Sequence, residues 1–209
     1  MKITLTDVGK RFNRDWIFRH LHVEFSSGQS IAVTGPNGSG KSTLLQVIAG
    51  AMECSEGKIS YYDGPQSSLQ LIPFEGIYQR ISIAAPFLEL IEEMTFEEFL
   101  SFHLSFKTLL KGLDPLEAME SVGLGKSAHK QIRYYSSGMK QRVKLAQAFF
   151  SDAQVLFLDE PTTNLDADGI ALYLRLVRDY GKDRIILVSS NDEQEYRFCN
   201  ERINILDFK

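Results

Sequence analysis

The sequence predicts an α/β fold built on a mostly parallel sheet. Three observations carry that expectation. Short apolar runs alternate with longer segments of helical periodicity, a glycine-rich turn directly follows one of those runs, and another ends in two adjacent carboxylates. Alternation of this kind is the pattern of a sheet whose strands are joined and covered by helices.

Residues 2–7 and roughly 21–25 read as strands, and Ser30-Ile31-Ala32-Val33-Thr34 as a buried strand. A helix from about Ser42 to Ile48 closes at Gly50. Residues 58–62 form a strand ending in the turn Asp63-Gly64, and 80–84 a further short strand. The texture then changes to helical. Thr95 caps a helix to Leu110 with Glu98 three residues on, and Phe96, Phe99, Leu100, His103 and Phe106 share one face. Asp114-Pro115 starts a second helix that ends near Gly123. Helices at about 138–150, 167–180 and 192–198 then alternate with strands at 155–158, 184–188 and 202–206.

Composition narrows the function classes. The chain has 209 residues, 44% apolar and 24% charged, which suits one folded domain with room for an inserted subdomain. Lys and Arg number 23 against 27 Asp and Glu, a net charge of −4, so no basic face announces nucleic acid. Cys54 and Cys199 are far apart and match no metal-ligand or disulfide spacing, in keeping with a reducing cytoplasm. Apolar runs such as Val155–Leu158 and Ile185–Val188 fall far short of the roughly twenty residues of a membrane helix.

Gly35-Pro36-Asn37-Gly38-Ser39-Gly40-Lys41-Ser42-Thr43 carries the chemistry. Its glycines let backbone N–H groups turn inward to cradle phosphate oxygens, and the following helix adds its positive end. Lys41 supplies a cation for the β- and γ-phosphates and Ser42 a hydroxyl for Mg²⁺. The pattern points to a nucleoside triphosphate. Asp159, ending the strand 155–158, is suited to hold Mg²⁺, and Glu160 to polarise an attacking water.

Taken together, GPNGSGKSTLL at 35–45, YYSSGMKQRVKLAQA at 134–148 and VLFLDEPTTNLD at 155–166 resemble the ATP-binding cassette (ABC) ATPases over residues 2–206. The resemblance implies a P-loop core with an N-terminal antiparallel β subdomain and an inserted helical subdomain. The core and β subdomain would occupy 1–85 and 142–209, and the helical insert about 86–141. Tyr135, Ser136, Ser137, Gly138 and Met139 stand at the family's signature positions and Asp166 at its D-loop. Phe12 matches the aromatic that stacks on adenine, with Trp16 as a rival. The family implies two cassettes closing head to tail on ATP, so that Ser136 and the Gly138 N–H meet the phosphate held by the other chain.

Three positions depart from the family pattern. Pro86 stands where a glutamine normally contacts Mg²⁺ and water, and Gln79 lies seven residues too early. Asn191 stands at the switch histidine, an amide donor that cannot become cationic. Ser137 replaces the first signature glycine, at a cost of about 1–2 kcal/mol if positive φ is required there. The leading expectation is a slow ATPase subunit on the cytoplasmic face of a membrane, driving a separate transmembrane subunit and pairing with a second cassette as a homo- or heterodimer. Phe87, Leu88, Leu90, Ile91 and Met94 are candidates for docking that subunit or for ordinary core. An ATP-gated dimerisation module with little turnover, or a soluble cassette outside transport, are the alternatives.

Overall fold

The computed structural model describes residues 1–65 and 67–209. Strands β1 (Lys2–Phe12), β2 (Asp15–Ser26), β4 (Glu56–Asp63) and β5 (Gln70–Leu71) make an antiparallel sheet ordered β2-β1-β4-β5. Strands β3 (Ser30–Thr34), β6 (Ile81–Ala84), β7 (Val155–Asp159), β8 (Ile185–Ser189) and β9 (Glu201–Asn204) make a parallel sheet ordered β6-β7-β8-β3-β9. Helices α1 (Lys41–Ile48), α2 (Phe96–Leu104), α3 (Pro115–Ser121), α4 (Ser137–Phe150), α5 (Ala167–Tyr180) and α6 (Glu193–Tyr196) occupy the connections.

The central strands are apolar throughout because both faces of the parallel sheet are covered. Successive side chains point to opposite sides. Val155, Phe157, Ile185 and Leu187 join α1 and the antiparallel sheet in one core, among Ile3, Leu5, Leu44 and Ile48. Leu156, Leu158, Ile186 and Val188 join helices α2 to α5 in a second, among Phe96, Leu100, Val143 and Leu172. The helical segment between β6 and α4 therefore has no isolated core of its own; it shares the second one.

The antiparallel sheet is larger than its sequence suggests. Residues 2–12 and 15–26 form one long hairpin around a turn at Asn13-Arg14. Register shifts between Leu5 and Val8, and again on either side of Lys10, break the alternation that a strand reading depends on. Asp7 and His20 take left-handed φ of 54° at these irregularities, and Asn13 does so in the turn. The last strand begins one residue early and gives way to a 3-10 turn over Ile205–Phe208.

Thr95 caps α2 as expected: its hydroxyl accepts from the Glu98 N–H at 3.2 Å, and the Glu98 carboxylate accepts from the Thr95 N–H at 2.8 Å. Thr95→Ala removes one of these bonds and is expected to destabilise by about 1 kcal/mol, lowering the thermal midpoint by about 2–4 °C. The helix stops at Leu104, six residues before the expected end. There the chain turns so that Leu109 bridges Ser151 and the Leu110 N–H donates to Phe150 O. Phe96, Phe99 and Leu100 are buried, but this turn leaves Phe106 exposed, its ring edge-on to Phe102 at 5.1 Å.

His103 sits under that turn, with Nε2 2.8 Å from Ser151 Oγ. Burial, and then the Lys107 charge, push its pKa from the usual 6.5 down to about 4. The unfolded chain thus binds a proton that the folded chain refuses, so stability is lost as pH falls from 6.5 toward 4. His103→Gln is expected to flatten that decline. Urea midpoints at pH 7 and pH 4.5 for parent and variant would show it, and an unchanged difference would contradict it.

Candidate functional site

All strands of the parallel sheet point their C-terminal ends to one edge, and the chemistry gathers there. After β3 the chain turns through residues 35–40 into α1. Gly35, Gly38 and Gly40 have φ of 143°, 75° and 108°. The tightest of these is Gly40, where a Cβ would lie 2.2 Å from Ile17 Cγ2 on β2. Lys41 is 5% exposed, and its ammonium donates to Gly35 O at 2.9 Å and Pro36 O at 3.2 Å. A cavity of about 210 Å³ opens beside it, lined by Asn37, Lys41, Ser42, Thr43, Ile17 and Glu160.

Asp159 ends β7 beside Ser189 of β8. It is 2% exposed, and its Oδ1 has no hydrogen-bond partner. A buried carboxylate oxygen left unpaired is strongly disfavoured unless something else meets it. Next to it, Glu160 takes φ of 43°, a left-handed conformation that disfavours a non-glycine residue by about 1–2 kcal/mol. Its N–H donates to Ser189 O at 2.9 Å. Glu160 faces the phosphate-loop cavity and also a neighbouring one of about 410 Å³, which Asn37, Thr162, Ser190 and Asn191 help to line.

Ser136, Ser137, Gly138, Met139 and Asp166 lie elsewhere. They line a separate cavity of about 480 Å³ with Arg142 and Asn164, and share no lining residue with the phosphate-loop cavity. Ser136 caps α4, its hydroxyl accepting from the Met139 N–H at 3.2 Å. Gly138 packs so closely that a Cβ would lie 2.9 Å from Asn164 O. Asp166 caps α5 through the Gly169 N–H at 2.8 Å and lies 3.6 Å from the Arg142 guanidinium.

Comparisons with known proteins give the family and the fold. The family profile described as "ABC transporter" matches residues 18–163. The chain belongs to that family. It is 32% identical over 180 residues to the cytochrome c biogenesis ATP-binding export protein CcmA of Rhizobium meliloti strain 1021, covering 85% of this chain and 84% of that one. Its fold matches a Pyrococcus furiosus structure described as a putative ABC transporter ATP-binding protein over all of both chains, with a TM-score of 0.82 and 22% identity. A dimeric post-hydrolysis cassette bound to ADP and Pi matches with a TM-score of 0.78 and 22% identity, over 97% of this chain and 94% of that one. This cassette is therefore the ATP-binding and ATP-hydrolysing subunit of an ABC transporter.

Against that family, the departures acquire geometry. Gln79 lies in a 3-10 turn before β6, at the end of the strand remote from the site, so it does not stand in for the missing glutamine. Pro86 follows β6 at the correct end, and its carbonyl accepts from the Lys144 ammonium at 3.0 Å. Ser137 opens α4 and is not among the positive-φ residues, so the feared backbone strain is absent. Asn191 donates from Nδ2 to Asn37 Oδ1 at 2.6 Å, joining the switch position directly to the phosphate loop.

Phe12 is 46% exposed at the hairpin tip, with the Lys10 ammonium 5.2 Å over its ring, and does not line the phosphate-loop cavity. Trp16 is occupied by the Arg19 guanidinium at 4.1 Å. The β2 side chain that does reach the loop is Ile17. Two further residues escaped sequence reasoning. Glu195 and Gln141, each 4% exposed, both bind the turn that follows Glu160. A buried Glu in a short polar helix, or a Gln on an amphipathic one, carries no local signal of such a contact.

Proposed function

We propose that this cassette is a slow motor that closes head to tail with a second cassette, a copy of itself or a different chain, and drives a transmembrane subunit at the cytoplasmic face. The observation that carries the proposal is the separation of the phosphate-loop cavity from the signature cavity on one chain. Neither is a complete site alone, and two chains in opposite orientation complete both. The groove of about 540 Å³ beside Pro86 supports a membrane partner. Leu88 and Leu90 line it, Leu90 and Met94 pack half-buried against the core, and Phe87 and Ile91 are exposed on the same segment outside the groove lining.

In this reading Gly35 to Thr43 wrap the phosphates, and Lys41 exchanges its two carbonyl partners for phosphate oxygens. Ser42 and Asp159 hold Mg²⁺, which supplies charge neutralisation on the phosphates; the unpaired Asp159 oxygen fits that role. Glu160 draws a proton from the attacking water. Asn191 donates its amide to the terminal phosphate, and Ser136, Ser137, Gly138 and Asp166 serve the nucleotide of the facing chain. Phe12 would reach adenine only from outside the loop cavity.

Slow turnover follows from an amide at 191 that holds no positive charge and a proline at 86 that offers no side-chain polar group. Single-turnover hydrolysis with Mg²⁺ tests this. Asn191→His is expected to raise the rate at pH 7 by about tenfold, part of the 10²–10³ that one well-placed contact contributes. An unchanged rate would remove Asn191 from the reaction.

A further inference from the structure

Glu160 holds a conformation that its own chemistry does not favour, and the next two residues are gripped from outside. The Thr162 N–H and hydroxyl both donate to Glu195 Oε1, at 2.7 and 2.5 Å. Pro161 O accepts from Gln141 Nε2 at 2.8 Å. Glu195 is itself anchored, because its carbonyl accepts from the buried Tyr173 hydroxyl of α5 at 2.7 Å. The turn 160–162 is thus tied to β8 at Ser189, to α6 at Glu195 and to α4 at Gln141.

We infer that Glu195 and Gln141 are positioning residues for hydrolysis, holding the 160–162 turn so that the Glu160 carboxylate stays aimed at the phosphate-loop cavity. Neither residue lines that cavity, and Glu195, which lines the neighbouring one beside Glu160 and Asn191, has its Oε1 engaged by the Thr162 N–H and hydroxyl. Left-handed backbone at a glutamate persists only when its surroundings over-determine it, and these two side chains secure residues 161 and 162 while Glu160 itself is bonded through its backbone to Ser189 and Thr163. Gln141 stands on the helix that begins with the signature, five residues beyond Ser136. Burial pushes the Glu195 carboxyl above the usual range, and bonds from Ser190 and Thr162 only partly offset it. A neutral amide there keeps the acceptor.

This inference rests on the reading of Glu160 as the base, so the experiment includes Glu160→Gln as a separate arm. Steady-state hydrolysis and binding of a fluorescent ATP analogue are measured for the parent, Glu195→Ala, Glu195→Gln and Gln141→Met. Misplacing a reacting group by about 1 Å lowers rates by about 10²-fold, so Glu195→Ala and Gln141→Met should each lower kcat by about ten- to a hundredfold. KM and analogue affinity should stay at parental values, and Glu195→Gln should restore most of kcat. Parental kcat in Glu195→Ala and Gln141→Met overturns the inference. So does an equal loss of kcat and analogue binding in Glu195→Ala and Glu195→Gln, because that is a merely structural effect. Parental turnover in Glu160→Gln, by contrast, overturns the base and not the clasp.

Discussion

Glu160→Gln is expected to lower ATP turnover by about 10²–10⁴-fold while nucleotide affinity is kept. The amide reproduces the shape of the carboxylate and leaves the bond from the residue 160 N–H to Ser189 O in place, but it accepts no proton from water. Binding depends on the phosphate loop and Lys41, which the substitution leaves untouched. A chain that closes on ATP and does not hydrolyse it stays closed, so ATP-dependent dimers should accumulate in the variant alone. Phosphate release in a single turnover, with light scattering on the same samples, measures both effects. Parental turnover would place the base elsewhere, and loss of binding would mean that residue 160 supports the loop itself.

Phe157→Ala should produce the largest loss of stability, about 3–5 kcal/mol. The ring is fully buried on the interior strand β7, between Ile83 of β6 and Leu187 of β8. It faces the core shared with α1 and the antiparallel sheet, where strands on either side limit collapse around the void. For a domain of this size the thermal midpoint should fall by about 6–20 °C. Calorimetry or a urea titration decides the matter; a drop under about 1 kcal/mol would mean that the sheet closes over the missing ring.

Phosphate loop, acidic strand end and signature were all legible because each depends on residues adjacent in the chain. A glycine at 40 or a lysine at 41 announces its role wherever the strand–turn–helix context is right. The α5 boundaries, read as about 167–180 and observed as Ala167–Tyr180, were equally local, set by an aspartate cap and a glycine stop. What could not be read depends on distant partners. Nothing near Glu195 in sequence signals Thr162, 33 residues away, and nothing near Asn191 signals Asn37, 154 residues away. The β1–β2 hairpin was underestimated for a different reason: its register shifts erase the two-residue period that identifies strands.

Strand β3, from which the phosphate loop springs, finds both neighbours late in the chain. Ser30 lies level with Ile186 of β8, and Ile31 with Glu201 of β9. During synthesis at about 5–20 residues per second, β3 waits roughly 8–34 s for those partners to be made. Through that interval an apolar strand has two open edges, the condition under which nascent chains associate wrongly and chaperones are recruited.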